Sequence, residues 1–299
     1  MTLQSTTISV VIPSYNHGHL IARAIRSVLS QDWPAIEILI VDNHSQDNTD
    51  EVVLAFSDQR IRLIKIHNEG VIAKSRNEGI RAATGQWVAF LDSDDWWAKG
   101  KLAACAADFD ASDLIYHDLQ IVDGTGAAIS GRRFRRRQLR SPVRRDLLVN
   151  GNPIATSSVM VRRAILDQVG PFDERREVIA AEDYDLWLRV AGVTERFKYL
   201  PATLGFYLLS AQSMSRRDMS LPMREVISRH LVDYDKATLA RIDANPAYAA
   251  GRFAMKCGDR ARAWDQLLRA LRWGRADIRM RALASLLQLT LKRQAPGPV

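Results

Sequence analysis

The sequence predicts an α/β fold: a mostly parallel central sheet with helices on both faces, followed by a C-terminal helical region. Three observations predict it. Short β-branched runs alternate with helix-periodic segments from Ile8 to Leu91, a hairpin-like pair of extended segments follows between Asp113 and Phe134, and helix dominates from about Leu221. Apolar strands alternating with helices are what a parallel sheet needs, because each crossover returns the chain along a helix that covers one face.

The elements follow in order. Ile8 to Ile12, ISVVI, is a short strand ending at Pro13, after which Leu20, Ile21, Ala24, Ile25, Val28 and Leu29 recur with the helical period. Ile36 to Val41 is a second strand, followed by a helix through Val52, Val53 and Phe56. Ile61 to Ile66 is a third strand, followed by a helix across Ala73 to Ala83, and Trp87 to Leu91 is a fourth strand. Beyond Leu102, Asp113 to Val122 and Ala127 to Phe134 flank the turn Asp123-Gly124-Thr125-Gly126 as a hairpin. Ser157 to Val161 is a further strand, Glu182 to Val190 is a helix, and Phe197 to Leu209 is an extended return interrupted at Pro201. The small residues Ala249, Ala250, Ala254, Gly258, Ala261 and Ala263 suit a packed helical hairpin. Residues 1–215 are thus expected to form the α/β domain and residues 216–299 the helical region.

With 299 residues, 47% of them hydrophobic and 25% charged, the chain has the composition of an ordinary globular protein rather than a disordered one. No apolar run approaches the roughly 20 residues of a membrane-spanning helix. The opening MTLQSTTISVVIP lacks a basic region and a cleavage site, so the expectation is a cytoplasmic protein. Cys105 and Cys257 match no metal or redox spacing, which suits two free thiols. The net charge of +8 is uneven, since eight arginines and no acid lie between Arg132 and Arg145.

In open α/β sheets ligands sit beyond the carboxyl ends of the strands, where SYNHGH, DNHSQDNT and DSDD would gather. Asp92, Asp94 and Asp95 stand directly behind the apolar run QWVAFL. Such a cluster is either a solvated acidic loop or a site for a hard divalent cation, Mg²⁺ or Mn²⁺, shared with substrate phosphates. Neither glycine-rich phosphate fingerprint is present, which removes the usual nucleotide cradles.

Taken together, SVVIPSYN, ILIVDNHSQDNT, AKSRNEGIRAATGQWVAFLDSDDWW and GPFDERREVIAAEDYDLWLRVAG resemble, in that order, the family 2 glycosyltransferases, over about residues 7 to 210. The resemblance implies the Rossmann-like GT-A fold and use of a nucleotide-diphosphate sugar with Mg²⁺ or Mn²⁺. It implies that Pro13, Tyr15, Asp42, Asn43, Arg76, Asn77 and Asp92 contact the donor, and that Asp94 with Asp95 lies at the metal. Asn43 stands where the family usually has a second Asp, which leaves the base open. The same resemblance makes Asp183 the base that takes the acceptor hydroxyl proton, beside Glu182, with inversion at the anomeric carbon. Arg189 is as readily structural as catalytic. Gln212-Ser213-Met214-Ser215 resembles a loop near the diphosphate, which would bring in Ser213 and Ser215.

Other signals are weighed against this reading. His17-Gly18-His19 lacks a third metal ligand and reads as a turn before a helix. The run RRFRRRQLR has no base-reading companions, so nucleic acid is not expected as a partner. The arginines from Arg132 to Arg145 form either a solvated insert or an anionic-membrane contact. Met280, Leu283, Leu286, Leu287 and Leu291 beside Arg279, Arg281, Lys292 and Arg293 either pack inward or lie on a lipid surface. The expected partners are therefore a nucleotide-sugar donor, a hydroxyl acceptor on a glycan or lipid carrier, and the inner membrane face, in bacterial surface polysaccharide or glycolipid assembly. A sugar nucleotidyltransferase would carry a glycine-rich basic loop where this chain has SYNHGH. A non-catalytic binding module would not need both D-x-D and E-D.

Overall fold

In the computed structural model, residues 6–134, 137–209 and 217–291 are described, with side chains omitted for 131–134. Ser213 and Ser215 lie outside these residues, as do Lys292 and Arg293, and the side chains of Arg132 to Arg136 are outside as well. The first half runs β1 (Ile8–Ser14), α1 (Gly18–Leu29), β2 (Ile36–Asp42), α2 (Thr49–Leu54), β3 (Ile61–Lys65), α3 (Ile72–Ala82), β4 (Trp87–Phe90), β5 (Trp96–Trp97) and α4 (Lys101–Ala106). The second half runs β6 (Leu114–Val122), β7 (Ala128–Phe134), α5 (Val143–Asn150), β8 (Met160–Arg162), α6 (Arg163–Val169), α7 (Glu182–Val190), β9 (Phe197–Leu208), α8 (Ser220–His230), α9 (Lys236–Lys256), α10 (Arg260–Trp273) and α11 (Ala276–Leu291).

The strands form one sheet in the order β3-β2-β1-β4-β8-β6-β9-β5, with β7 paired to β6. Strands β3, β2, β1 and β4 are mutually parallel, whereas β8 runs antiparallel to both β4 and β6. The expected strand at Ser157 to Val161 is shorter than its sequence suggests, because Thr156–Ser158 closes a 3₁₀ turn before β8 begins. Pro201 does not end β9. The pairing with β6 steps from Leu200 to Thr203, so the proline and Ala202 bulge out and the strand continues.

Both faces of the parallel half are buried, as alternating residues show. Val10 and Ile12 of β1 pack with Ile21, Ala24, Ile25 and Val28 of α1, while Val11 between them joins Ala73 of α3 and Trp187 of α7 on the other face. Gly79 permits that second packing, since a β-carbon there would collide with the Val11 side chain. Helix α8 and the start of α9 belong to the same core through Val226, Ile227 and Ile242. A separate cluster begins at Ala247 and gathers Ala254, Ala263, Leu267, Ala270, Ile278, Ala282, Leu286 and Leu289. Among the described residues no helix is long and apolar enough to cross a membrane. Cys105 is a buried free thiol and Cys257 an exposed one.

Candidate active site at the carboxyl ends of the parallel strands

The loops after β1, β2 and β4 converge beyond one end of the parallel half. Asn16 and His44 take left-handed backbone angles, with φ of 52° and 49°, which turn the chain sharply as it leaves β1 and β2. The two loops are then stitched together: the Asn16 N–H donates to Ser45 Oγ at 2.8 Å, and the Gln46 N–H donates to Asn16 Oδ1 at 2.8 Å. Tyr15 projects from this seam and is 52% exposed, an aromatic face available to a ligand. Pro13 lies buried within β1 and pairs with Val41.

Asp42, expected at the donor, is fully buried and committed to the protein. Its oxygens accept from the Ser45 hydroxyl at 2.5 Å, the Ser45 N–H at 2.8 Å and the Lys65 ammonium at 2.8 Å. Asn43 Oδ1 accepts from the Asn68 N–H at 2.8 Å, which holds the loop after β3. Asn77 is likewise held by the protein: its amide exchanges two bonds with the Phe172 backbone, at 2.8 and 2.9 Å, and donates to Glu174. These three residues act as scaffold for the loops that carry the site.

Arg76 is the centre of the arrangement. It is 4% exposed, donates to Glu182 Oε1 at 2.6 Å and to Asp92 Oδ1 at 2.9 Å, and lies over the Phe172 ring. One guanidinium thus ties the end of β4 to the start of α7, joining positions 16 and 106 residues away in the chain. Burial works against its charge, but Asp92 and Glu182 outweigh that and hold it protonated beyond its ordinary range. Both of its terminal nitrogens meet protein carboxylates, so Arg76, expected at the donor, acts here as a brace between two loops.

Beside this brace stand two carboxyl groups with altered acidity. Asp183 is pushed up to about 7, first by burial and then by the charge of Glu182, with Arg76 acting in the opposite direction. Its Oδ1 accepts the Tyr184 N–H at 2.6 Å, and Thr156 Oγ1 stands 3.3 Å from Oδ2. Asp94 is also pushed up to about 7, by burial and by Asp92. Ala180, three residues before Asp183, has φ of 74°, a conformation disfavoured for any residue with a β-carbon. Ser14 Oγ, Arg76 Nε, Asp95 Oδ2 and Glu182 Oε2 are buried without a hydrogen-bond partner among the described residues.

Asp95, expected at the metal, is engaged through one oxygen and has no partner on the other among the described residues. Its side chain is 1% exposed and Oδ1 accepts the Leu208 N–H at 2.9 Å, so it holds β9 against the loop. Asp92 and Asp94 are the half-buried carboxylates of this loop. Among the described residues no group of three or more His, Cys, Asp or Glu could hold a metal ion by itself. Two carboxylates still fit Mg²⁺ or Mn²⁺ when substrate phosphates complete the coordination, and a cation would relieve the repulsion that raises Asp94.

Arg189 is a structural residue. It donates to the carbonyls of Val169, Gly170 and Pro171 and pairs with Asp185 at 2.8 Å, which fixes the loop leading to Phe172. Burial pushes the Asp185 carboxyl up, but His230, at 2.8 Å, and Arg189 outweigh it and hold it below its ordinary value. Sequence reading missed the hydroxyls of the 3₁₀ turn. Ser157 Oγ accepts the Asp92 N–H at 3.1 Å and its carbonyl accepts the Trp97 indole N–H at 3.0 Å, while Thr156 faces Asp183. Their only signal was a run of small hydroxyl residues, Thr156-Ser157-Ser158, which any loop can carry. The tandem tryptophans divide the work: Trp97 is buried, and Trp96 lies between the Arg23 guanidinium, 3.5 Å from its ring centre, and Phe206 at 5.0 Å. Arg23 also donates to the Asp94 carbonyl at 3.2 Å.

Known proteins resemble this chain in sequence and in fold. Residues 9–170 match the model of glycosyl transferase family 2. An uncharacterized glycosyltransferase of Nostoc sp. is 37% identical over 56% of this chain and 54% of its own. A UDP-Glc:alpha-D-GlcNAc-diphosphoundecaprenol beta-1,3-glucosyltransferase of Escherichia coli, WfgD, is 31% identical over 61% of this chain and 69% of its own. The chain thus spans about half the length of the first relative and rather more of the second. Among solved structures, S. aureus TarS 1-349 in complex with UDP-GlcNAc has a TM-score of 0.64 at 22% identity, covering 91% of this chain and 82% of that one. A Pyrobaculum calidifontis mannosyltransferase in complex with GDP-Man and Mn²⁺ has a TM-score of 0.61 at 18% identity, covering 96% of this chain and 81% of that one. At these identities the structural likeness speaks for the fold, which is the GT-A fold expected from the sequence.

Proposed function

Because this chain belongs to glycosyl transferase family 2, we propose that it transfers a sugar, with inversion, from a nucleotide-diphosphate sugar to a hydroxyl acceptor. The observation that carries the reading is the Arg76 brace, which holds the D-x-D loop and the Glu182-Asp183 pair on either side of one guanidinium. Asp183 takes the acceptor proton, and a carboxyl group that titrates near 7 is matched to that work at neutral pH. As the acceptor oxygen bonds to the anomeric carbon, the bond from that carbon to the diphosphate breaks on the opposite face. The electron pair leaves with the diphosphate, and the proton ends on Asp183.

Tyr15 offers an exposed ring for the nucleoside, and Asp92 and Asp94 are the carboxylates assigned to the diphosphate end. Mg²⁺ or Mn²⁺ held there would neutralise charge on the departing diphosphate. The E. coli relative is named for glucosyl transfer to a GlcNAc-diphosphoundecaprenol, which supports an acceptor carried on a lipid diphosphate here; on this reading transfer takes place at the inner face of the membrane, in cell-surface polysaccharide assembly.

The test is Asp183→Asn in a panel of nucleotide sugars with Mg²⁺ or Mn²⁺. Transfer and donor hydrolysis should fall by at least about 10³-fold, while the donor still raises the melting temperature as it does for the parent. Retained turnover would remove Asp183 from the base role.

A further inference from the structure

The last two helices bury one side and leave another bare. Ala263, Leu267 and Ala270 of α10 pack against Ile278, Ala282, Leu286 and Leu289 of α11. On α11 the positions between carry apolar residues too. Met280, Leu283, Leu287 and Leu291 recur at spacings of 3 or 4 on the face opposite the buried one, and are 48% to 72% exposed. On α10, Trp264 and Leu268 are 41% and 43% exposed. Trp264 shares a cleft with Leu289 and Thr290 at the last turn of α11.

A soluble helix rarely carries leucines on both sides, and a bare stripe of this length marks a surface that is covered in use. Its charge identifies what covers it. From residue 260 to 291 there are seven arginines and two aspartates. Arg262, Arg269 and Arg275 are paired with Asp218, Asp265 and Asp277, whereas Arg272, Arg279 and Arg281 form no ion pair among the described residues. A second copy of the hairpin would bring the same positive charge against itself and be repelled. An anionic lipid surface supplies both an apolar layer for the leucines and Trp264 and negative headgroups for the arginines.

We propose that the outward face of α10 and α11 docks on an anionic lipid bilayer, with the Met280–Leu291 stripe in the headgroup and acyl boundary and Arg279 and Arg281 at phosphates. In its purpose this rests on the reading of a membrane-held acceptor. Vesicle binding needs neither donor nor Asp183, so the two readings fail separately.

The experiment is co-sedimentation of the full chain, without nucleotide, with vesicles of phosphatidylcholine alone or with about one-third phosphatidylglycerol. The wild type should bind the anionic vesicles, less so as salt rises, and bind the neutral ones weakly. Arg279→Gln/Arg281→Gln should weaken binding by about 30-fold, the loss expected for two arginines at a lipid surface. Leu283→Ser/Leu287→Ser should abolish it, with the circular dichroism spectrum and donor hydrolysis unchanged. If that spectrum changes, the arginine pair decides. No binding by the wild type, equal binding to both vesicles, or unchanged binding by the variants overturns the proposal. So does a wild-type dimer that the leucine pair converts to a monomer, because the occupant is then a second copy.

Discussion

Replacing Arg76 by Met tests whether the brace holds the site together. The guanidinium is 4% exposed and makes two charge-assisted bonds, of 2.6 Å to Glu182 and 2.9 Å to Asp92. The partners differ: the Glu182 side chain is 7% exposed and its second oxygen has no partner among the described residues, whereas the Asp92 side chain is 29% exposed and can turn to water. Most of the cost therefore falls on Glu182, whose charge is left buried without compensation, a defect that costs about 3–5 kcal/mol. Urea denaturation of Arg76→Met, Glu182→Gln and the double variant measures it. The double variant should recover roughly half or more of the loss, because removing both charges removes the stranded one. Activity supplies a second readout. Arg76 lowers the Asp183 pKa, so its loss should move the acidic limb of the kcat/KM profile upward from about 7, by on the order of one unit. A cost below about 1 kcal/mol, strictly additive single variants, or an unmoved limb would refute the brace.

Three further outcomes are expected. Asp183 has a folded-state pKa near 7 against an ordinary 3.8, so its contribution to stability is full below about pH 4 and lost as pH rises through about 7; Asp183→Asn should unfold at higher urea than the parent at pH 8, by about 2–4 kcal/mol, and show no gain at pH 4. Lys101 is fully buried over the Trp97 ring and burial lowers it to about 7, so the wild type gains stability from about pH 7 towards its ordinary value of 10.5. Lys101→Met should stabilise by about 1–4 kcal/mol at neutral pH, with the advantage shrinking as pH rises, as read by thermal melts across pH. Thr156→Val keeps the shape but removes the hydroxyl facing Asp183, whose hydrogen bond lowers that carboxyl's pKa, and should shift the acidic limb of the rate profile upward by a fraction of a unit without changing KM for the donor.

Much of this was written in local pattern. The β-branched runs at Ile8, Ile36, Ile61 and Trp87 became the parallel strands, and the acidic loop after β4 stands at the carboxyl ends where such sheets bind ligands. These depend on the chain's own periodicity and on a rule of sheet geometry, both of which one sequence carries. The nature of each polar contact was not legible in the same way. Asp42, Asn43, Asn77, Asp95 and Arg189 are the right residue types beside the right loops, yet each is engaged by backbone or a nearby charge.

The sequence by itself determined the alternation of strands and helices, the loops that meet at the strand ends, and the carboxylates available there. Only the tertiary structure decided what each of those carboxylates meets. A buried polar group must be satisfied by whatever donor or acceptor the fold brings within about 3 Å, and those neighbours lie tens of residues away. Asp95 meets Leu208, Asn77 meets Phe172, and Arg76 meets both Asp92 and Glu182, so that Asp94 and Asp183 are left in half-buried surroundings that raise their pKa.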